Sequence, residues 1–106
     1  MSYEIKDYNK DSIYLSIPNL IQSLVFQRIG EERSKQDKQW GIPHNQQRLW
    51  FTILSEEVGE VAKELNEFWD RDYLDDPCFI SKIKNELIQV AAVCVAWLED
   101  LERSKK

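Results

Sequence analysis

Two short groups of carboxylate and amide side chains share faces of predicted helices and could together bind a cation. The first group comprises Glu56, Glu57 and Glu60, and the second comprises Glu86 and Gln89. Residues three or four positions apart lie on the same face of an α-helix, so each group points one way. Two antiparallel helices can therefore converge several oxygen atoms on one point. Hard divalent cations such as Mg²⁺ prefer oxygen ligands, and Mg²⁺ in turn commonly binds phosphate groups.

Three helices are predicted to position these side chains, and no β-alternation of useful length occurs. Pro18 can occupy the first position of a helix, and Gly41 and Pro43 mark the loop after it. The predicted helices cover approximately residues 18–37, 45–69 and 79–103. Residues 1–17 show no sustained period and are interpreted as an N-terminal arm, so residues 18–106 form the helical domain. The sequence thus predicts an all-α protein.

The second predicted helix separates into an apolar face and an acidic face on a helical wheel. The apolar face contains Trp50, Leu54, Val58, Val61, Leu65 and Phe68. The acidic face contains Glu56, Glu57, Glu60, Glu64 and Glu67, with Ile53 among them. Taken alone, an acidic face of this kind is most simply a solvated surface. Gly59 lies inside this helix, where glycine costs about 1 kcal/mol relative to alanine, so we expect a helix or a ligand to approach it closely.

The third predicted helix favours a more specific reading of the acidic residues. The stretch from Leu87 to Leu98 is apolar nearly all round, which is typical of a buried central helix. Glu86 is aligned with this apolar surface, and an ionised carboxylate there is costly unless a cation compensates it. Alternatively, its early position in the helix, near solvent and the positive end of the dipole, is sufficient. A three-helix monomer hardly covers such a helix, so we expect a homodimer or homotetramer whose core includes Leu87 to Leu98.

Composition excludes several functional classes. The 106 residues suffice for one domain, with 42% hydrophobic and 31% charged residues. A net charge of −5 argues against binding a nucleic acid polymer through the protein's own charge. The longest nearly apolar run has 12 residues, too few to span a bilayer, and the polar N-terminal segment does not resemble a signal peptide. The two cysteines have no metal-binding spacing. We therefore expect a soluble, cytoplasmic protein.

These motifs together resemble the MazG-like all-α nucleoside triphosphate pyrophosphohydrolases over roughly residues 20–103. The resemblance rests on Trp40-Gly41 followed by His44, on the segment from Leu54 to Leu65, and on Glu86-Leu87 followed by Gln89. The family pattern is Glu-Glu-x-x-Glu on one helix and Glu-x-x-Asp on the next. Glu56, Glu57 and Glu60 match the first half, whereas Gln89 stands where the second half has aspartate. The resemblance implies an antiparallel helical bundle completed by homo-oligomerisation.

The activity implied by the resemblance is Mg²⁺-dependent hydrolysis of an NTP or dNTP to a nucleoside monophosphate and pyrophosphate. Glu57, Glu60 and Glu86 are then expected to bind Mg²⁺, or Mn²⁺ as an alternative ion, with the Gln89 amide oxygen as a weaker ligand. Glu56 would bind a further metal ion or orient the attacking water. Either Glu56 or Glu57 could accept the water's proton.

Gln89 brings no negative charge, so two other functions remain open beside the enzyme. One is a nucleotide- or metal-binding regulator of the same fold with weak or no catalysis. The other is a plain helical oligomerisation module whose glutamates are solvated. Stabilisation by Mg²⁺ and nucleotide would argue against the module.

The substrate-binding residues suggested by the resemblance lie around the first loop. Trp40 could stack on a base, and His44 or Asn45 could read the edge of the base. Alternatively, Trp40 anchors the loop on the core and His44 caps a helix or lies at the surface. The candidate phosphate contacts, which in most proteins are simply solvated side chains, are Lys63, Lys82, Lys84 and Arg71.

Overall fold

The computed structural model describes residues 12–68 and 76–105, with side chains from residue 17 onward. It contains three helices, α1 (Ser12–Trp40), α2 (Gln47–Glu67) and α3 (Pro77–Arg103). No strand occurs within the described ranges, so the predicted all-α class is confirmed. In the same ranges, no helix combines the length and apolarity needed to cross a membrane.

Helix α3 is the central element, because α1 and α2 each pack against it. In the described ranges α1 and α2 do not pack directly against each other. Trp50, near the start of α2, bonds Asp100 near the end of α3, whereas Glu57 further along α2 shares a cleft with Gln89. The contacts run in opposite order along the two helices, so α2 is antiparallel to α3.

The buried core lies where α2 crosses the second half of α3. Trp50, Val93 and Ala96 are almost inaccessible to solvent. Ile53, Leu54 and Trp97 pack around them as partly buried side chains. The rings of Trp50 and Trp97 are stacked, with centroids 6.4 Å apart. Burial of these large side chains is the main stabilising contribution available to this small fold.

Helix α1 begins earlier and ends later than the sequence pattern predicts. It starts at Ser12, so the start predicted at Pro18 is wrong and Pro18 lies inside the helix. A proline removes only one helical N–H, and here the helix continues on both sides of it. Gly41 ends α1 with a φ of 79°, and its N–H donates to the carbonyl oxygen of Asp37 at 2.9 Å. The predicted N-terminal arm covers residues 1–17. Residues 1–11 lie outside the described residues, and residues 12–17 belong to α1.

The end of α3 at Arg103 agrees with the prediction, whereas the other boundaries of α2 and α3 differ from it by about two residues. Helix α2 runs from Gln47 to Glu67, and the predicted end at Trp69 lies outside the described residues. Helix α3 starts at Pro77, because the side chain of Asp76 accepts the N–H groups of Cys78 and Phe79. An aspartate cap followed by proline at the first position is a strong helix start that the prediction overlooked.

The inward face of α2 is rotated relative to the predicted one. Ile53, predicted among the glutamates, packs on the core, whereas Val58 and Leu65, predicted on the apolar face, are 50% and 42% exposed. Trp50 and Glu57, seven positions apart, both face α3, so the inward stripe of α2 includes a glutamate. Because α3 is the helix that packs against α2 in the described chain, only the side chains of α2 that face α3 are buried.

Large apolar side chains remain exposed on all three helices. Leu87 and Leu98 of α3 are 52% and 61% exposed, so the chain alone does not bury the whole predicted central stretch. A methyl group added at Gly59 would meet no atom within 4 Å, so the expected close approach is not made by the described part of the chain. On α1 the exposed large apolar residues are Ile17, Leu20, Ile21, Leu24, Val25 and Phe26.

Candidate functional site

A cleft of about 390 Å³ opens between α1 and α2 above the surface of α3. We call it the aromatic cleft, because Trp40 and Trp50 line it. Gln36, at the end of α1, and Glu57, on α2, stand on opposite walls. The loop between the helices contributes Gly41, Pro43 and Asn45, and α3 contributes Gln89, Val93 and Ala96. The cleft thus combines an apolar floor with a few polar groups, as binding sites for small molecules usually do.

A second cleft of about 480 Å³ lies between α1 and α3 and adjoins the first. Glu32, Lys35 and Gln89 line both clefts, so the two spaces meet at these residues. We call the second one the charged cleft, because ionisable side chains of both signs dominate its lining. The residues that line the charged cleft are Arg28, Glu31, Glu32, Lys35, Asn85, Glu86, Ile88 and Gln89.

Glu57 lies at the centre of the negative charge of the site. Burial raises the pKa of the Glu57 carboxyl, and the neighbouring charges of Glu86, Glu60, Glu56 and Glu32 raise it further. The four predicted carboxylates therefore lie within electrostatic reach of one another across α2 and α3. Within the described residues, none of the five glutamates forms an ion pair with a lysine or arginine.

The carboxylates do not form a closed set of metal ligands in the single chain. Across residues 12–68 and 76–105, no group of three histidine, cysteine, aspartate or glutamate side chains is arranged to hold a metal ion. The donor set nevertheless fits a hard divalent cation in type and charge, because it consists of oxygens with uncompensated negative charge. Glu57, Glu60 and Glu86 are the side chains that would hold such an ion after closing on it.

Gln89 is connected to α1 by a hydrogen bond. Gln36 donates from Nε2 to Oε1 of Gln89 at 3.3 Å. Arg33 donates from one terminal nitrogen to Oε1 of Gln36 at 3.0 Å. The amide oxygen considered as a metal ligand therefore already accepts a hydrogen bond within the protein.

Arg33 holds α1 against the end of α3. Its guanidinium forms two parallel hydrogen bonds to Glu99, at 2.9 and 2.8 Å, and a third bond to Asp37 at 2.9 Å. Arg33 is only 6% exposed. The bond to Glu99 is the main reason that the pKa of Arg33 is raised and that of Glu99 lowered. Two-pronged pairing of this kind fixes both charge and geometry, so it orients the α1 wall of the aromatic cleft.

Asp100 fixes the loop at the other end of this cleft. Its carboxylate accepts the indole N–H of Trp50 at 2.8 Å, the backbone N–H of Asn45 at 3.0 Å and the Nδ1–H of His44 at 2.8 Å. These three bonds, that of Asn45 first, hold the pKa of the Asp100 carboxyl well below its usual range. Asp100 is 2% exposed. A buried carboxylate satisfied by three donors is a structural anchor.

The predicted substrate residues separate into two groups in the structure. Trp40 is 77% exposed and lines the aromatic cleft, as does Asn45, so Trp40 is not buried as a loop anchor. His44 bonds Asp100, is otherwise exposed to solvent and does not line the cleft.

The predicted lysines lie away from both clefts. Lys63 and Lys84 are exposed and line neither cleft. The Lys82 ammonium lies 5.9 Å from the ring centroid of Phe68, and Arg71 lies outside the described residues. The cations that do line the charged cleft are Arg28 and Lys35, on the polar second half of α1, which sequence reasoning did not examine.

Two further residues of the site carried a signal in the sequence that was not used. Asp100 follows Val93 by seven positions and Ala96 by four, which places a carboxylate on the buried stripe of α3. Glu32 precedes Gln36 by four positions, which places both on one face of α1. Neither spacing reveals the partner helix, so only the structure identifies their contacts.

Comparisons with known proteins found no relative. The chain matches no protein-family model, no curated protein and no solved structure. Its function must therefore be inferred from the residues of the two clefts.

Proposed function

We propose that this protein is a Mg²⁺-dependent pyrophosphohydrolase that converts an NTP or dNTP to a nucleoside monophosphate and pyrophosphate. The observation that carries this proposal is the position of Glu57. The pKa of its carboxyl is raised by burial and by the negative charges of four other glutamates. Glu57 also lines the cleft that the exposed Trp40 lines. Such an arrangement favours a ligand that brings cations and a flat ring together. The resemblance of the acidic motifs to those of the MazG-like family points to the same reaction.

Charge balance supports a metal-bound triphosphate over a free one. A protein of net charge −5 with a cluster of glutamates repels a polyanion unless cations accompany it. Mg²⁺ held by Glu57, Glu60 and Glu86 would neutralise the triphosphate and polarise the phosphorus that is attacked. Glu57 gains most from a nearby cation, since its pKa is raised by burial and by its neighbours. We therefore assign Glu57 to the metal and leave Glu56 to orient the water and accept its proton.

The two clefts suggest how the nucleotide is oriented. The aromatic cleft has a volume of about 390 Å³, within the usual range for small-molecule sites, and offers the indole of Trp40 for stacking on the base. The charged cleft offers Arg28 and Lys35 to the phosphates. Gln89 and Glu32 lie where the clefts meet. The α-phosphate is therefore expected close to the carboxylates.

We also propose that a second copy of this chain covers the exposed apolar faces. On α2, Phe51, Val58 and Leu65 are 63%, 50% and 42% exposed and follow one another at intervals of seven. An apolar stripe with this spacing fits the groove of another helix. The exposed residues of α1 add a second apolar face, and contiguous exposed apolar surface commonly marks an interface. The described chain offers nothing that covers either face.

A second candidate function is nucleotide or metal binding with weak or no catalysis. Two observations favour it: the described residues contain no closed set of metal ligands, and the Gln89 oxygen is bonded to Gln36. Such a protein would keep the nucleotide site and act as a regulator. The presence or absence of turnover distinguishes it from the enzyme.

The deciding experiment measures pyrophosphate release from all common NTPs and dNTPs, with and without Mg²⁺. We expect Mg²⁺-dependent pyrophosphate and an equal amount of nucleoside monophosphate from at least one substrate. Glu57→Gln and Glu86→Gln should abolish it, whereas Glu67→Gln, at the exposed end of α2, is the matched control. Nucleotide binding without product would favour the regulator. A folded sample that neither binds a nucleotide nor forms product would refute both functions.

A further inference from the structure

The orientation of the Gln89 amide is fixed by a chain of hydrogen bonds that starts at a buried cation. The guanidinium of Arg33 carries only donors, so its bond to Gln36 must end on the amide oxygen of Gln36. The nitrogen of the same amide then points to Gln89, where it requires an acceptor. Only the amide oxygen of Gln89 can accept, and it lies 3.3 Å from the Gln36 nitrogen. Gln89 therefore directs its oxygen toward α1.

The Arg33 guanidinium, where this series of hydrogen bonds starts, is held by groups other than Gln36 and Gln89. Arg33 is fixed by Glu99 on α3 and by Asp37 on α1, and it is 6% exposed. Reversing the two amides would place a nitrogen donor of Gln36 against a nitrogen donor of Arg33. This repulsive arrangement is excluded while the Arg33 pairs are intact. The polarity of Gln89 is thus imposed by the fold.

As a consequence, the polar group of Gln89 that is not bonded to Gln36 is its amide nitrogen. Within the described residues, its Nε2 forms no hydrogen bond, and it is not among the buried polar atoms that lack a partner. It is therefore accessible to solvent or to a ligand. Gln89 lines both clefts at the point where they meet. An amide nitrogen carries two N–H donors and cannot coordinate a metal ion.

We propose that Gln89 binds the nucleotide directly, by donating a hydrogen bond from Nε2 to one of its oxygen atoms, and is not a metal ligand. This inference rests on the proposed nucleotide site. The acceptor is an oxygen near the junction of the nucleoside and the triphosphate, because Gln89 stands between the two clefts. Gln36 is the positioning residue, since it fixes the direction of the Gln89 amide.

The test uses two substitutions that each remove the Gln89 donor; the second keeps the glutamine itself and therefore separates the two roles. Gln89→Asp removes the donor and introduces a carboxylate. Gln36→Glu accepts from both Arg33 and Gln89, so it turns the Gln89 nitrogen toward residue 36 and the Gln89 oxygen away from it. Binding of an α,β-imido nucleotide, which resists cleavage, is measured by calorimetry with Mn²⁺ present. Binding of Mn²⁺ alone is measured by electron paramagnetic resonance.

If Gln89 is a donor, both variants should bind the α,β-imido nucleotide about three- to tenfold more weakly than the wild type, the effect of losing one hydrogen bond. Gln39→Glu adds the same charge on the same helix and lines the same cleft, but lacks the contacts to Arg33 and Gln89. The change in affinity that Gln39→Glu causes is taken as the effect of the added charge and is subtracted from the changes in the two variants. If Gln89 is a metal ligand, Gln36→Glu, which keeps the glutamine and turns its oxygen away from Gln36, should bind Mn²⁺ and the nucleotide more tightly than Gln39→Glu does, and this result overturns the proposal.

Inorganic tripolyphosphate locates the acceptor. A loss confined to the nucleotide places the acceptor on the base or sugar, and an equal loss for tripolyphosphate places it on a phosphate; either result supports the donor role. Unchanged affinity in both folded variants overturns that role while leaving the proposed function intact. A wild-type protein that binds neither probe overturns the proposed function and, with it, this inference.

Discussion

Asp100 and Trp50, fifty positions apart in the chain, form a buried hydrogen bond of 2.8 Å between the carboxylate and the indole N–H. Trp50 is 3% and Asp100 2% exposed, so neither group can replace its partner with water. The same carboxylate holds the loop through Asn45 and His44. The core of α2 and the loop that closes the aromatic cleft therefore depend on one side chain of α3.

We expect Trp50→Phe to lower the free energy of unfolding by about 2 kcal/mol, because it removes a buried hydrogen bond to a charged acceptor. Trp97→Phe is the matched control: its indole N–H bonds Gln47 at an exposed position, so its loss should cost less. Urea unfolding followed by circular dichroism measures both changes. Equal losses in the two variants would contradict the importance assigned to the Asp100 bond.

The stability of the protein without divalent ions should depend on Glu57 and on pH. Because the folded state raises the pKa of Glu57, it binds that proton more tightly than the unfolded state does. The resulting stabilisation is present below the unfolded pKa, about 4.3, and is lost as pH rises through the folded value. Glu57→Gln should therefore be more stable than the wild type at pH 7, with the difference narrowing toward pH 4.

Thermal unfolding between pH 4 and pH 8 in the presence of a chelator measures this difference. Glu67→Gln changes the same group on the same helix outside the cluster and should show no such trend. Added Mg²⁺ should then stabilise the wild type more than Glu57→Gln. A Glu57→Gln variant less stable than the wild type at pH 7 would show that this carboxylate is compensated in the folded protein.

Trp40→Ala should weaken nucleotide binding without lowering stability. A stacked base contributes about 1–3 kcal/mol, so the affinity for an α,β-imido nucleotide should fall about tenfold or more. The free energy of unfolding should change by no more than about 0.5 kcal/mol, since the side chain is 77% exposed. Ile42→Ala, at an exposed loop residue outside the cleft lining, is the control. A loss of stability with unchanged affinity would make Trp40 a structural residue.

Replacing an exposed apolar residue by aspartate should dissociate the proposed oligomer. We expect the wild type to sediment as a dimer or tetramer, and Phe51→Asp and Leu24→Asp to sediment as smaller species, because a buried charge in an apolar interface is costly. Ile42→Asp adds the same charge outside both apolar faces and should leave the assembly unchanged. A wild type that is monomeric at high concentration would contradict the proposal that a second copy covers these faces.

The three glycines should respond in opposite ways to alanine. Gly30 and Gly59 lie inside helices with no atom within 4 Å of an added methyl group, so alanine should stabilise the chain by about 1 kcal/mol at each. Gly41 has a φ of 79°, so alanine there should destabilise it by about 1 kcal/mol or more. Thermal unfolding measures all three. Stabilisation at Gly30 but not at Gly59 would indicate that a second copy or a ligand approaches α2.

The helices themselves were readable from the sequence, whereas their exact faces were not. Apolar periodicity and scarce breakers predicted three helices with α3 at the centre, and α3 does contact both others. The same periodicity assigned Val58 to the core and Ile53 to the acidic face, which is wrong. Both residues are compatible with a buried stripe, and the choice depends on where the neighbouring helix lies.

In the candidate site, too, the sequence predicts some residues and only the packing of the helices identifies the others. Glu57 and Gln89 could be selected because local spacing places them on helix faces and because such oxygens suit a cation. Arg33, Gln36 and Asp100 could not be selected with their partners, since their contacts join residues distant in the chain.

The sequence by itself determined the all-α class, the order of the helices and a set of acidic candidates, because these depend on local propensity and spacing along one helix. The tertiary structure decided that Glu57 faces inward while Val58 faces outward, that His44 bonds Asp100 instead of lining the cleft, and that the Gln89 amide is oriented from Arg33. Those properties depend on which helices meet and at what rotation. Packing between distant segments sets both, and no local pattern encodes them.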